Sequence, residues 1–341
     1  MHKYVSSPAF LAWMERMPDS LAMIITNSTD ATADYLCDRL ARAEVAYCRF
    51  DTDTALDTIQ VALSAHGLQL AWNGHKVEVT TIGTVVYRRP KPFIPPVAGD
   101  SSLQNHASDE WAEAIEGFLS HVPPSKWINY PPRNFMASHK VEQLTRAQTC
   151  GLCVPEWVVT NDAEEAKQFL IAHGPKLVAK PLASGYIERT DPADDTLIYT
   201  QSINQSHEHL FDRLSSCPVL FQAQVNKATD VRMIVVDDFI TAVSLTAKDA
   251  DGSQRLDIRR DNMRDVRYAP LSAPSHVAQG VRELMQGYGL RFAAIDFAID
   301  SDGRWTFFEV NPNGQWAWLD LAGASDVGAS FVNALRTGVE S

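Results

Sequence analysis

Apolar positions along the chain follow two periods, and the switches between them mark the elements. Residues 21–26 (LAMIIT) form a short apolar run that reads as a buried strand. Asp30 then offers an N-cap to a helix whose apolar positions recur at Leu36, Leu40 and Ala43. Residues 45–50 read as the next strand, so the chain opens as βαβ and predicts a parallel sheet. Asn73-Gly74 marks a hairpin over residues 72–79, and residues 84–90 (TVVYRRP) read as a further strand. After a Pro- and Gly-rich stretch at 92–100, a helix is expected over 109–121, and Val122-Pro-Pro-Ser marks a boundary. Ser138 is positioned to cap another helix that stops at Gly151. Residues 155–160 and 176–182 read as strands flanking a helix at 162–172. A helix is expected at 274–288, ended by Gly289. Strands at 292–299 and 305–310 enclose a turn at 300–303, and a last helix covers 325–335.

That final hairpin carries the most chemistry. Asp296 lies between Ile295 and Phe297, and Glu309 between Phe308 and Val310. A carboxylate among such neighbours is costly to bury without a partner. Asn311 follows Glu309 by two residues, so on an extended backbone the two side chains share a face. Two carboxylates and an amide oxygen are hard ligands. They suit Mg²⁺, which takes one or two carboxylates and fills its other positions with water and phosphate oxygens. A solvated polar edge is the alternative.

Composition narrows the classes. The 341 residues are 45% apolar and 21% charged, as in ordinary globular proteins, and suffice for two or three domains. A net charge of −12 argues against a general nucleic-acid binder. No apolar run approaches the ~20 residues of a membrane span, so no membrane association is expected. Residues 1–20 carry an amphipathic patch around Phe10, Leu11 and Trp13 but make a poor signal peptide. Five cysteines, an odd number, fit a reducing compartment, and a cytoplasmic location is expected. Cys150 and Cys153 have CxxC spacing, yet no second pair or thioredoxin-like context accompanies them, and packing is the simpler reading. The 27–34 stretch (NSTDATAD) lacks the glycines of a dinucleotide-binding loop. No Ser-His-Asp pattern suggests a covalent nucleophile.

The segment EVNPNGQWAWL at 309–319 resembles the ENPNGQW signature of the ATP-grasp ligases that cyclise ribosomally made peptides, the microviridin-type or graspetide ligases. The resemblance runs from Leu21 onward, through YRRP at 87–90, KLVAKPL at 176–182 and NKATDVRMIVVDDFITAVSL at 226–245. The last has Asp237-Asp238 where the family has Gly-Asp, and LDIR at 256–259 has Ile258 where the family has Trp. It implies an α/β (α+β) ATP-grasp fold: after a 1–20 extension, an N-terminal parallel-sheet domain at 21–122, a central subdomain at 123–204, and a C-terminal subdomain with the metal site at 205–341. It implies ATP and Mg²⁺, the metal on Asp296, Glu309 and Asn311. Lys140, Lys180 and Arg232 would face the phosphates. Gln222, Ala223, Gln224 and Val225 would meet the adenine, with Asp230 beside them. Arg232, Arg259 and Lys180 would be the catalytic cations. Arg88 and Arg89 read either as substrate contacts or as structural ion pairs.

The implied reaction phosphorylates Glu or Asp side chains of a precursor peptide and joins them to Thr or Ser hydroxyls or Lys amines. The leader would bind near 186–215, where Glu188, Asp191, Asp194 and Asp195 offer negative charge, and the core near 232–259 and 313–318. A homodimer is also implied. The alternative within the same fold is a ligase joining a small-molecule carboxylate to an amine or amino acid. A non-catalytic binding module is a third reading, though it would be expected to have lost the metal set.

Overall fold

The computed structural model describes residues 20–95, 101–174, 176–183, 185–187, 189, 195–260 and 263–340. The amphipathic patch of the N-terminal extension, and Glu188, Asp191 and Asp194, lie outside them. The chain divides into two compact units, one comprising Met1–Pro131 with Val327–Ser341, the other Pro132–Asp326. The expected boundaries at 122/123 and 204/205 differ from these.

In the first unit, β1 (Leu21–Thr26) is buried on both faces and pairs in parallel with its neighbours, which is why it reads as a continuous apolar run. Asp30 caps α1 (Ala31–Arg42) by accepting from the Thr32 and Ala33 N–H groups. The sheet order is β2 (Tyr47–Asp51), β1, β6 (Ile82–Tyr87), β7 (Trp127–Ile128), all parallel. Between β2 and β6 the chain makes a separate antiparallel sheet of β3 (Ile59–Ser64), β4 (Gly67–Trp72) and β5 (His75–Glu78). Asn73 and Gly74 turn β4 into β5 with φ of 45° and 82°, as a two-residue hairpin requires. Helix α2 begins earlier than expected, spanning Ser101–Leu119. The C-terminal helix, Val327–Glu340, packs on this unit. Gly83 and Gly338 permit the approach, since a Cβ on Gly83 would sit 2.6 Å from the Gly338 carbonyl oxygen.

The second unit starts with two helices where one was expected. α3 (Pro131–Ala137) ends just before α4 (Lys140–Thr149) begins, and His139 is the N-cap residue. Ser138 is not the cap: its hydroxyl donates to the Phe135 carbonyl, closing α3. Gly151, at φ 74°, ends α4, with the Leu152 N–H returning to the Ala147 carbonyl. Next come β8 (Trp157–Thr160), α5 (Ala163–His173) and β9 (Leu177–Lys180). The short strands β10 (Tyr186–Ile187) and β11 (Thr196–Leu197) pair antiparallel. β12 (Gln201–Ile203) then turns to pair with β9, and a 3₁₀ helix spans Gln205–Ser216. With β13 (Val219–Ala223) the first sheet is complete, in the order β12-β9-β13-β8, all antiparallel. α5 and the 3₁₀ helix cover one face through Leu170, Phe211 and Phe221.

The second sheet runs β16 (Arg267–Leu271), β15 (Phe239–Thr246), β14 (Lys227–Val236), β17 (Phe292–Asp300), β18 (Trp305–Asn311), again antiparallel. α6 (Ser275–Tyr288) lays Val277, Val281 and Leu284 against the same core as Leu144 and Ala147 of α4. Met233, Ile295, Phe297, Phe307 and Val310 of the sheet complete that core. Alternation along β17 and β18 therefore sends Asp296 and Glu309 to the opposite face.

Arg88 resolves to the structural alternative. Its guanidinium grips Asp30 at 2.7 and 3.1 Å, with both side chains buried, and Thr26 donates to the same carboxylate. Burial raises the Asp30 pKa, but the Arg88 hydrogen bond and charge outweigh it and hold the value at about 2. A depressed carboxylate contributes stability that is complete above its unfolded value and is lost as pH falls through the folded one. Asp30 should thus contribute about 2 kcal/mol that disappears between about pH 4 and pH 2. Urea unfolding should show this loss in the wild type and not in Asp30→Asn. That variant should also be weaker by about 3–5 kcal/mol at neutral pH, because it removes the carboxylate that neutralises a buried guanidinium.

Candidate active site

Strand register assembles the centre of the site. Arg232 on β14 is paired with Asp296 on β17, and Asp296 is paired with Glu309 on β18, so the three stand side by side on one face. Arg232 Nη1 donates to Asp296 Oδ1 at 2.8 Å and Nη2 to the Gln315 carbonyl at 3.2 Å. The latter contact needs Gly314: a Cβ there would lie 2.7 Å from Arg232 Nη2 and 2.4 Å from the Ala294 methyl. The pairing of β17 and β18 slips between Asp296 and Phe297, leaving Phe308 as an extra residue. Such a bulge re-aims side chains. Here Phe307 and Val310 enter the core, while Phe308, Glu309 and Asn311 all face a cavity of about 1090 Å³.

The cavity lies between the two sheets of the second unit, and every residue proposed from the sequence for ATP, metal or catalysis lines it. Lys140 Nζ donates to the Pro181 carbonyl at 2.7 Å and stands 3.8 Å from Glu309 Oε2. The anion offsetting a lysine at the first turn of α4 is thus Glu309. Lys180 does not snorkel away: its Nζ lies 4.3 Å over the Phe308 ring. Burial lowers its pKa to about 8, opposed by Glu309 and assisted by Lys227 and Lys140. Arg259 is gripped by Asp257 at 3.0 and 2.8 Å, while 58% of its side chain stays exposed. Asp257 is held at about 2, since Arg259 outweighs the upward push of burial, and it also accepts from the Thr200 N–H at 3.2 Å.

The donors suit magnesium only in part by themselves. Among the described residues no group of three or more His, Cys, Asp and Glu is placed to hold a metal. Two carboxylates and an amide remain, with Asn311 Oδ1 oriented by the Asn313 N–H at 3.1 Å. A carbonyl oxygen keeps a second lone pair. This set fits an octahedral Mg²⁺ whose other ligands are water and phosphate oxygens.

At the other end, Gln222 is 1% exposed, and both polar atoms of its carboxamide are buried without a partner. The Ala223 and Gln224 N–H groups are already taken by the Glu156 and Lys176 carbonyls, at 2.9 and 3.1 Å. A ligand could use those two N–H groups only by breaking these bonds, whereas the Gln222 carboxamide has hydrogen-bonding capacity to spare. Asp230 is tied to Lys227 at 2.6 Å and to Gln254 at 2.9 Å. Lys227 and Asp257 also line the cavity and were missed. A spacing of three puts Lys227 and Asp230 on opposite faces of a regular strand, but the register of β14 shifts between Lys227 and Thr229 and brings them together.

No family model and no curated protein matches the chain. Solved structures do. The macrocyclase MdnC of Microcystis aeruginosa, bound with precursor peptide MdnA, aligns at TM-score 0.79 and 24% identity over 93% of this chain and 99% of its own. A RiPP-associated ATP-grasp ligase of Chryseobacterium gregarium, in complex with ADP and a leader and core peptide, aligns at TM-score 0.82 and 24% identity, covering 93% and 96%. The ATP-grasp ligase PsnB, complexed with a phosphomimetic variant of its minimal precursor, Mg and ADP, aligns at TM-score 0.72 and 19% identity, covering 94% and 99%. The chain has the ATP-grasp fold.

Whether Lys180 faces the phosphates of a bound nucleotide can be tested directly. A protonated lysine attracts an anion and a neutral one does not, so ADP affinity measured by calorimetry should fall about tenfold from about pH 7 to about pH 9. Lys180→Met should bind weakly at both, with a flatter profile. Equal slopes would remove Lys180 from the phosphate site.

Proposed function

We propose that this chain is an ATP-dependent peptide macrocyclase, an ADP-forming ligase that joins Glu or Asp side chains of a ribosomal precursor peptide to Thr or Ser hydroxyls or Lys amines of the same peptide. The observation that carries the reading is the row of Arg232, Asp296 and Glu309, with Asn311 beside it, in a cavity also lined by Lys140 and Lys180. The likeness to solved ATP-grasp ligases with bound precursor peptides supports a peptide substrate. So does the exposed apolar surface of Tyr186, Ile187, Leu197 and Ile198 beside the cavity, which suits the leader. Reaction in the cytoplasm and a homodimeric assembly belong to the same proposal.

A free carboxylate is a poor acyl donor. Transfer of the γ-phosphoryl group of ATP to a substrate carboxylate oxygen releases ADP and leaves an acyl phosphate. A hydroxyl or amine of the same peptide then attacks the acyl carbon, loses its proton, and expels phosphate that carries one former carboxylate oxygen. Little of this demands covalent chemistry from the protein, whose work is positioning and charge stabilisation. Bound Mg²⁺ would neutralise phosphate charge, held by Asp296, Glu309 and Asn311. Lys140 and Lys180 would face the phosphates, and Gln222 would read the base. Arg232 presents a fork already fixed by Asp296 and the Gln315 carbonyl, so it needs no reorganisation to stabilise charge on the moving phosphoryl group. Arg259, fixed by Asp257 and exposed, would face the substrate carboxylate. Gly314 and Trp318 would border the core peptide.

Mass spectrometry of a co-encoded precursor incubated with enzyme, ATP and Mg²⁺ should show the loss of one water per bond formed, absent without ATP. Glu309→Ala should abolish it, and Arg232→Ala should slow it by about 10²–10³-fold. Base hydrolysis would separate esters from amides. ATP turnover with an unchanged precursor mass would instead favour the ligase of small-molecule carboxylates.

A further inference from the structure

Among the described residues β18 lies at the edge of its sheet, and no strand there pairs with the backbone groups of its outward-facing residues. At Val310 that place is filled by a side chain. Gln143, on α4 and 2% exposed, accepts from the Val310 N–H at 2.9 Å and donates to the Val310 carbonyl at 2.9 Å. The carboxamide thereby reproduces the paired donor and acceptor of a neighbouring strand. Its second N–H donates to the Ala137 carbonyl at 2.6 Å, at the end of α3. All the donor capacity of this buried group is used.

The position of this contact matters more than its existence. Val310 is the residue between Glu309 and Asn311, and it follows at once on the Phe308 bulge, where the ladder to β17 is interrupted. A bulge weakens the hold of one strand on another. β18 is thus least restrained by its partner just where its two oxygen ligands begin, and Gln143 restrains it from the other side. Gln143 also lies one turn along the same helix from Lys140, which faces Glu309. One carboxamide therefore fixes both the strand bearing Glu309 and Asn311 and the helix bearing Lys140.

We infer that Gln143 is a positioning residue for the metal site, setting the separation of the Glu309 and Asn311 oxygens and the place of Lys140 against them. The inference rests on the reading that Glu309 and Asn311 hold Mg²⁺. It requires an amide: a methionine of similar length would leave the Val310 N–H and C=O and the Ala137 carbonyl buried without partners. Removing a group that orients a metal ligand costs about 10–100-fold in metal affinity.

The test uses the full-length protein with ADP and Mn²⁺ as the metal probe, free Mn²⁺ being read by electron paramagnetic resonance, and thermal unfolding recorded alongside. Gln143→Met should weaken Mn²⁺ binding in the presence of ADP by about tenfold or more while a folded transition persists. Leu144→Ala, which removes a side chain buried against the core rather than facing the β18 edge, should lower the unfolding temperature and leave Mn²⁺ affinity of the folded protein unchanged. The inference is overturned if Gln143→Met lowers only the unfolding temperature, or if Leu144→Ala weakens Mn²⁺ as much. Should Gln143→Met fail to fold, Gln143→Glu, which keeps size and acceptor but loses both N–H donors, takes its place with the same criterion. Glu309→Ala separates the two levels: if it too leaves Mn²⁺ binding intact, the metal assignment fails rather than the role of Gln143.

Discussion

Antiparallel register across three strands is the constraint on which the site depends. Arg232, Asp296 and Glu309 come from β14, β17 and β18, and the pairing Arg232–Asp296–Glu309 makes them neighbours on one face. A slip of one residue in either pairing would turn a charged group into the apolar core. The core argues against any such slip, because Met233, Ile295 and Val310 occupy the alternate positions and are buried against α4 and α6. The packing that stabilises the sheet also orients its chemistry.

Charge compensation follows from that row. Without a ligand the acids face cations of the protein: Asp296 faces Arg232, Glu309 faces Lys140, Asp257 faces Arg259, and Asp230 faces Lys227. Polyphosphate and its metal would exchange partners within this network rather than enter an uncompensated field. One of the pairs, Lys227 and Asp230, lies at a shift in the register of β14, where a regular strand would have separated the charges. Lys180 is held differently, over an aromatic ring and with its pKa pushed down by burial.

Much of the fold was legible in the sequence, because most of its elements announce themselves locally. The LAMIIT run, the Asp30 cap, the Asn73-Gly74 turn and the stops at Gly151 and Gly289 depend on residues close by, and the structure bears each out. What failed had no local signature. Ser138 looked like a cap, but the Pro131-Pro132 start of α3 places it at that helix's end. β16 was missed because it pairs with β15 across a long connection, and β3 because Ala65 and His66, which alone separate it from β4, carry no turn signal. Within the site, residue types and the resemblance picked out Asp296, Glu309, Asn311 and the lysines. Lys227 and Asp257 stood inside motifs of the resemblance but were given no role: Lys227 meets Asp230 only through a shift in β14, and Asp257 grips Arg259 two residues on. Gln143 gave no signal either: in sequence it is a polar residue in a helix, and only the bare edge of β18 explains its burial.

The account rests on a substrate carboxylate being activated by phosphoryl transfer in this cavity. The most direct measurement labels the Glu and Asp side-chain carboxylates of the precursor with oxygen-18 and follows released phosphate by phosphorus NMR during turnover. The account predicts one labelled oxygen in each phosphate formed, in step with bond formation, and none with Glu309→Ala. Phosphate that carries no label while rings close would contradict it, because the carboxylate would then never have received the phosphoryl group.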